Sequence, residues 1–264
     1  MTVLAAGIAM GCDDVGSGLP VVLLHGFPHH RALWASQLNG LAAPVRTIAP
    51  DLRGFGESES SGPTSMDRYA DDIAALCDQL GLDKIVLGGL SMGGYIAFAF
   101  WRRHRARVRA LVLCDTRAGA DSEAGRATRD ELIALAERDG SAAVADRMLP
   151  GMLGRTTREK HPDLVESMRE MMVRAPVAGV TAALAALRDR PDSTPTLSTI
   201  DVPTLIICGD EDVLTPVAES RAMHHAISGS HLELLAGAGH VSNVERPAAF
   251  NHVLSEFLTQ LTSE

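Results

Sequence analysis

The sequence predicts an α/β fold: a mostly parallel sheet of about eight strands flanked by helices, with a helical lid inserted after the sixth strand. Two observations predict it. Short apolar runs alternate with helical stretches at both ends of the chain, the signature of parallel βαβ units. Between them, from about residue 121 to residue 190, helix follows helix with no strand. A length of 264 residues suits one full domain carrying an inserted subdomain.

The elements read as follows. Pro20–His25 (PVVLLH) is a continuous apolar run, as expected of a strand buried on both faces. Val45–Ala49 and Lys84–Leu90 are the next strands. Between these two, Met66–Leu80 places Tyr69, Ile73, Leu76 and Leu80 at helical spacing, and Gly81 stops the helix. A helix over Met92–His104 leads to the strand Val108–Cys114. The pattern breaks near Thr116, and helices are expected over Asp121–Arg138, Ser141–Leu149, Thr157–Val173 and Pro176–Arg188. Turn chemistry at Pro191–Pro195 ends this block. The alternation then resumes with strand Thr204–Cys208, helix Val217–Ile227, strand His231–Leu235 and helix Pro247–Leu261. Residues 1–116 and 196–264 are therefore expected to form the core domain, and residues 117–195 the lid.

At 46% hydrophobic and 22% charged, the chain has an ordinary globular composition. A net charge of −9 argues against a nucleic-acid footprint. No apolar run approaches the roughly 18 residues of a spanning helix, and Met1–Met10 lacks the basic start of a secretory signal. Cys12, Cys77, Cys114 and Cys208 have no metal-site spacing. Cys114 and Cys208 fall inside apolar runs, where a thiol is a small hydrophobe. A cytoplasmic setting without disulfides is expected.

Gly89-Leu90-Ser91-Met92-Gly93 follows a strand and opens a helix, the context of a nucleophile elbow. A serine on so tight a turn needs small neighbours two residues either side, and Gly89 and Gly93 supply them. A hydroxyl also needs a base. Among ten histidines, His240 ends a Gly-rich loop after the last strand, at the sheet edge where such folds bind ligands. His224 and His225 lie in a helix and His29 and His30 in a loop, where surface or packing roles suffice. The acid that fixes the base is expected at Asp212, with Asp210 capping its own turn. Asp115, at the end of the strand Val108–Cys114, is the rival. The oxyanion hole is expected from the N–H groups of Met92 and Phe27, with His25 bracing the loop by hydrogen bonding.

Together with Asp51-Leu52-Arg53-Gly54-Phe55-Gly56-Glu57-Ser58, the segments His25–Pro28, Gly89–Gly93, Gly209–Asp212 and Gly239-His240 resemble the α/β-hydrolase superfamily. Within it, the likeness is to small bacterial carboxylesterases and the enol-lactonase-like branch. The resemblance covers most of the chain outside the insertion. It implies a cofactor-free, metal-free enzyme that hydrolyses small esters or lactones through an acyl-enzyme. Serine at position 91 disfavours the branches whose nucleophile is Asp, and HGFP at 25–28 differs from the HGGG loop of some lipases. The lid is expected to offer Met148, Met152, Met172 and Leu184 to the substrate, with Trp34 closing the pocket from the N-terminal side. Its arginines are matched by acidic residues, so no anion clamp is evident.

Three functions fit these residues. Ester hydrolysis leads. Perhydrolysis, as in cofactor-free haloperoxidases, would use the same groups with peroxide in place of water. A ligand receptor that keeps the triad but turns over slowly is the non-enzymatic alternative. The partner expected is a small molecule, with no nucleic acid or membrane, for a monomer or homodimer.

Overall fold

The computed structural model describes residues 1–60 and 62–262; residues 61, 263 and 264, which the expected core segments include, lie outside the described residues. The sheet has eight strands. They are β1 (Thr2–Ala5), β2 (Ile8–Gly16), β3 (Leu19–Leu24), β4 (Val45–Pro50), β5 (Ile85–Leu90), β6 (Val108–Cys114), β7 (Thr204–Gly209) and β8 (His231–Leu235). Their spatial order is β1-β2-β4-β3-β5-β6-β7-β8. From β4 to β8 every neighbouring pair is parallel, while β1–β2 and β2–β4 are antiparallel. The central strands β5 and β7 are buried along their whole length. This explains why they read as unbroken apolar runs: helices cover both faces.

The hairpin β1–β2 has no counterpart among the strands placed from the sequence. Its turn is Ala6-Gly7, both at positive φ (52° and 77°), which is the left-handed geometry of a tight hairpin. A small residue before glycine inside an apolar stretch was the available signal.

Between β6 and β7 the chain is helical. The long segment Glu123–Met152 is two helices meeting at Gly140, where φ is 80° and ψ 180°. The helix expected over Thr157–Val173 is instead divided into Arg155–Lys160 and Pro162–Val173. Pro162 causes the division, because proline starts a helix readily but cannot donate within one. Val177–Arg188 packs on the core at Gly179, where a Cβ would overlap the Gly54 carbonyl, and a short helix, Thr194–Leu197, follows before β7. No single helix among the described residues is long and apolar enough to cross a membrane.

Candidate active site

Strand β5 delivers Ser91 to the carboxyl edge of the sheet, and the helix Met92–His104 starts immediately after it. Ser91 has φ 53°, ψ −111°, a strained conformation for a residue with a Cβ. It is held there from both sides: Ser91 N–H donates to Cys114 O at 2.9 Å, and Thr116 Oγ1 donates to Ser91 O at 2.8 Å. The turn closes because its neighbours are glycine. A Cβ at Gly89 would overlap the Gly93 backbone, and one at Gly93 would overlap the Leu24 carbonyl. Gly89→Ala is accordingly expected to destabilise the fold by about 2 kcal/mol or more. The measurement is thermal or urea unfolding; an unchanged midpoint would refute the close approach.

His240 Nε2 lies 2.8 Å from Ser91 Oγ, and His240 Nδ1 lies 2.8 Å from Asp212 Oδ2. With Nδ1–H donating to the carboxylate, Nε2 presents its lone pair to the serine hydroxyl. The Asp212 carboxylate also accepts from Leu214 N–H (2.8 Å), Thr215 N–H (3.0 Å) and Thr215 Oγ1 (2.6 Å). Burial alone would raise the Asp212 pKa. The charge and hydrogen bond of His240, with the Thr215 bonds, outweigh that and hold it below the usual value. Burial likewise lowers the His240 imidazole, yet the charge and hydrogen bond of Asp212, with Asp115 and Glu245 behind it, hold it above 6.5. An imidazolium cannot accept a proton. Any hydrolysis that needs this base should therefore rise with pH, with a kcat/KM midpoint above 6.5. A pH–rate profile with a p-nitrophenyl ester reads this directly, and a midpoint below 6.5 would contradict it.

The rival acid takes other partners. Asp115 Oδ1 accepts from Gly209 N–H (2.8 Å) and Oδ2 from Ser242 Oγ (2.5 Å) and Ser242 N–H (3.3 Å). It thus pins β7 and the segment after His240 to the end of β6. Burial, then the charge of Asp212, pushes its pKa up to about 8. Asp115, Cys208 and Asp212 are the one group among the described residues able to offer three clustered metal-ligand atoms. All four carboxylate oxygens already accept protein hydrogen bonds. Asp210 accepts from Gly237 N–H at 2.7 Å, bracing the neighbouring loop.

His25 is buried and its Nε2 accepts from Leu52 N–H at 2.9 Å, which ties the loop after β3 to the segment after β4. Burial lowers its pKa to about 4, so it stays neutral. Phe55 packs edge-on against the rings of His25 and Phe27. The loop they support lies close to the elbow, since a Cβ at Gly26 would sit 3.3 Å from that of Ser91. Met92 is the first residue of its helix, so its N–H has no intrahelical acceptor, and Phe27 lines the cavity beside Ser91.

That cavity holds about 90 Å³. Met148, Met152 and Leu187 of the inserted helices form its apolar wall, with Tyr95, Arg117 and Arg129 on its polar side. Trp34, Met172 and Leu184 do not line it. Trp34 is fully buried against Phe250, and Met172 and Leu184 are fully buried in core packing. An apolar face along a helix marks what is buried, without saying which part of it meets the cavity.

Two supports were absent from the sequence reading. Thr215 lies three residues after Asp212, a spacing at which a hydroxyl reaches back to a carboxylate. Glu245 is buried and accepts from Gly154, Gly239 and Val241 N–H groups, joining the inserted helices to the His240 loop. His240 N–H also donates to Met152 O at 2.9 Å.

Residues 20–247 match the family described as alpha/beta hydrolase fold. The chain belongs to the α/β-hydrolase family. The hydrolase is similar to a thermophilic esterase from Thermogutta terrifontis, solved with malate bound. Identity is 40%, coverage 99% of this chain and 98% of that one, and the TM-score 0.95. It is also similar to the enol-lactonase from Burkholderia xenovorans, at 29% identity, 98% and 100% coverage and a TM-score of 0.90. A bromoperoxidase from Bacillus anthracis is 27% identical, with 98% and 99% coverage and a TM-score of 0.87. The likeness to the esterase and the enol-lactonase places the hydrolase in the carboxylesterase and enol-lactonase-like branch.

Proposed function

We propose that the protein is a serine carboxylesterase that hydrolyses small-to-medium esters or lactones through an acyl-enzyme on Ser91. One observation carries the reading: the unbroken chain Ser91–His240–Asp212, at 2.8 Å for both links, opens on a cavity lined by Phe27. The esterase and enol-lactonase neighbours support ester-bond hydrolysis. His240 Nε2 takes the Ser91 proton as Oγ bonds to the acyl carbon. The Phe27 and Met92 N–H groups hold the resulting oxyanion. Collapse breaks the bond to the alcohol oxygen, which leaves with the proton from His240. A water deprotonated by the same nitrogen then releases the acid and restores Ser91. In this reading residues 117–195 are the lid, because Met148, Met152 and Leu187 wall the cavity from that side.

The test is hydrolysis of p-nitrophenyl acetate and butyrate beside a panel of lactones. Turnover that survives Ser91→Ala would sink the mechanism. Perhydrolysis is the second reading, supported by the bromoperoxidase likeness. Hydrogen peroxide would intercept the same acyl-enzyme, and the ratio of peracetic acid formed to acetate released separates the two.

A further inference from the structure

The polar side of the cavity is strongly cationic. Arg117, just past β6, and Arg129, on the helix Glu123–Met152, both face the space that Ser91 opens on. They share one counter-ion with a third arginine. The carboxylate of Asp121, 1% exposed, accepts from Arg117 Nη2 at 2.5 Å and Arg129 Nε at 3.0 Å, and Arg190 Nη1 lies 2.8 Å away. Three guanidinium cations thus meet one carboxylate, which leaves the cluster with a surplus of positive charge.

Arg190 is the most engaged of the three, although its Nε, like that of Arg117, is buried with no hydrogen-bond partner among the described residues. It lies over the Tyr95 ring at 4.2 Å and donates to the carbonyls of Leu187 and Gly119, both at 2.9 Å. The other two line the cavity that Ser91 opens on, which Arg190 does not, and they too have donors to spare. Arg117 Nε is buried with no hydrogen-bond partner among the described residues, and Arg129 uses only its Nε. A buried cationic donor left unmade is costly, and an anionic oxygen is the group that satisfies it best. Glu219 contributes only a field at Arg117. A neighbouring cavity of about 300 Å³ shares Arg117 and Arg129 and adds the exposed Arg147. Positive charge therefore extends outward from the reaction centre.

We propose that Arg117 and Arg129 bind a free carboxylate carried by the substrate, so that the preferred substrate is a small ester or lactone with a second, ionised acid group. The proposal rests on the serine-esterase reading and narrows it. The small cavity between these arginines and Ser91 leaves room for only a short spacer between the acid group and the reacting carbonyl. Matching lid arginines to acidic residues by composition fails here, because Asp121 is shared three ways.

Monoethyl succinate and ethyl 4-oxopentanoate test it, being near equal in size and differing in a carboxylate against a methyl ketone. Wild-type kcat/KM is expected to favour monoethyl succinate by about tenfold to a hundredfold, mostly through KM. In Arg117→Met and in Arg129→Met the ratio of the two kcat/KM values should fall to within about threefold of one. Equal or neutral-preferring wild-type kinetics would overturn the proposal. So would variants that lose both substrates in equal proportion, since that marks the arginines as fold supports alone. The second arm is calorimetric binding to the full-length Ser91→Ala protein. Monoethyl succinate should bind about tenfold or more tighter than the ketone ester, and equal binding overturns the proposal. This arm decides the matter even where an arginine variant does not fold. Failure of the serine reading registers separately, as turnover retained by Ser91→Ala.

Discussion

Ser91→Ala is expected to lower kcat for p-nitrophenyl butyrate by about ten-thousandfold, with a folded protein left behind. The size follows from what is removed. Without Oγ there is no acyl-enzyme, and only the oxyanion donors and substrate binding remain to speed attack by water. The fold should persist because, among the described residues, Ser91 Oγ bonds His240 alone, while the elbow is held through the Ser91 backbone, its N–H donating to Cys114 O and its carbonyl accepting from Thr116 Oγ1. Alanine meets the same positive φ that serine already endures. Circular dichroism and the melting temperature, read beside initial rates, separate lost chemistry from lost structure. A Ser91→Ala protein that is native-like and retains more than about a tenth of the rate would rule out the nucleophile.

Asp212→Asn is expected to cost about a thousandfold or more in kcat. An amide in place of the carboxylate either turns its NH₂ toward His240 or loses the bonds from Leu214 and Thr215. The imidazole then loses the partner that fixes Nδ1–H. The pH dependence should change with it. Once the Asp212 charge and hydrogen bond are gone, burial dominates and the His240 pKa falls, so the residual activity should have its midpoint at lower pH than wild type. Asp115→Asn makes the contrast. Its carboxylate touches Gly209 and Ser242, not the imidazole, so kcat should stay within about tenfold of wild type. Stability should still fall, by about 1–3 kcal/mol, as Ser242 loses an acceptor. The two midpoints and two rates together assign the acid. A larger loss of kcat in Asp115→Asn than in Asp212→Asn would transfer the role to Asp115.

Much of this architecture could be read from the chain because local patterns and the global fold agree. An unbroken apolar run before Gly89-Leu90-Ser91-Met92-Gly93 and a helix after it leave the serine one place to go. Gly209 and Gly239 act in the same way: a Cβ at Gly209 would overlap the carbonyls of Ala238 and Gly239, so these loops can only meet as glycine contacts. That meeting is what brings Asp212 to His240. The inserted helices were legible as helices but not in their facing. Gly140 and Pro162 break them at points that rotate each piece independently, so Met148 reaches the cavity while Met172, equally apolar, is buried away from it. The cationic wall was hidden for another reason. Charge balance along the sequence is not charge balance in space, and Asp121 gathers arginines from positions 117, 129 and 190.

The proposed acyl-enzyme mechanism stands or falls on a covalent bond to one atom, Ser91 Oγ. Incubation with a diethyl p-nitrophenyl phosphate, followed by intact-mass measurement and peptide mapping, reads that bond directly. The expected result is stoichiometric gain of one diethylphosphoryl group on the peptide containing Ser91, in step with loss of esterase activity, and no gain in Ser91→Ala. Label on any other residue accompanying the loss of activity, or full activity in a protein labelled at Ser91, would contradict it.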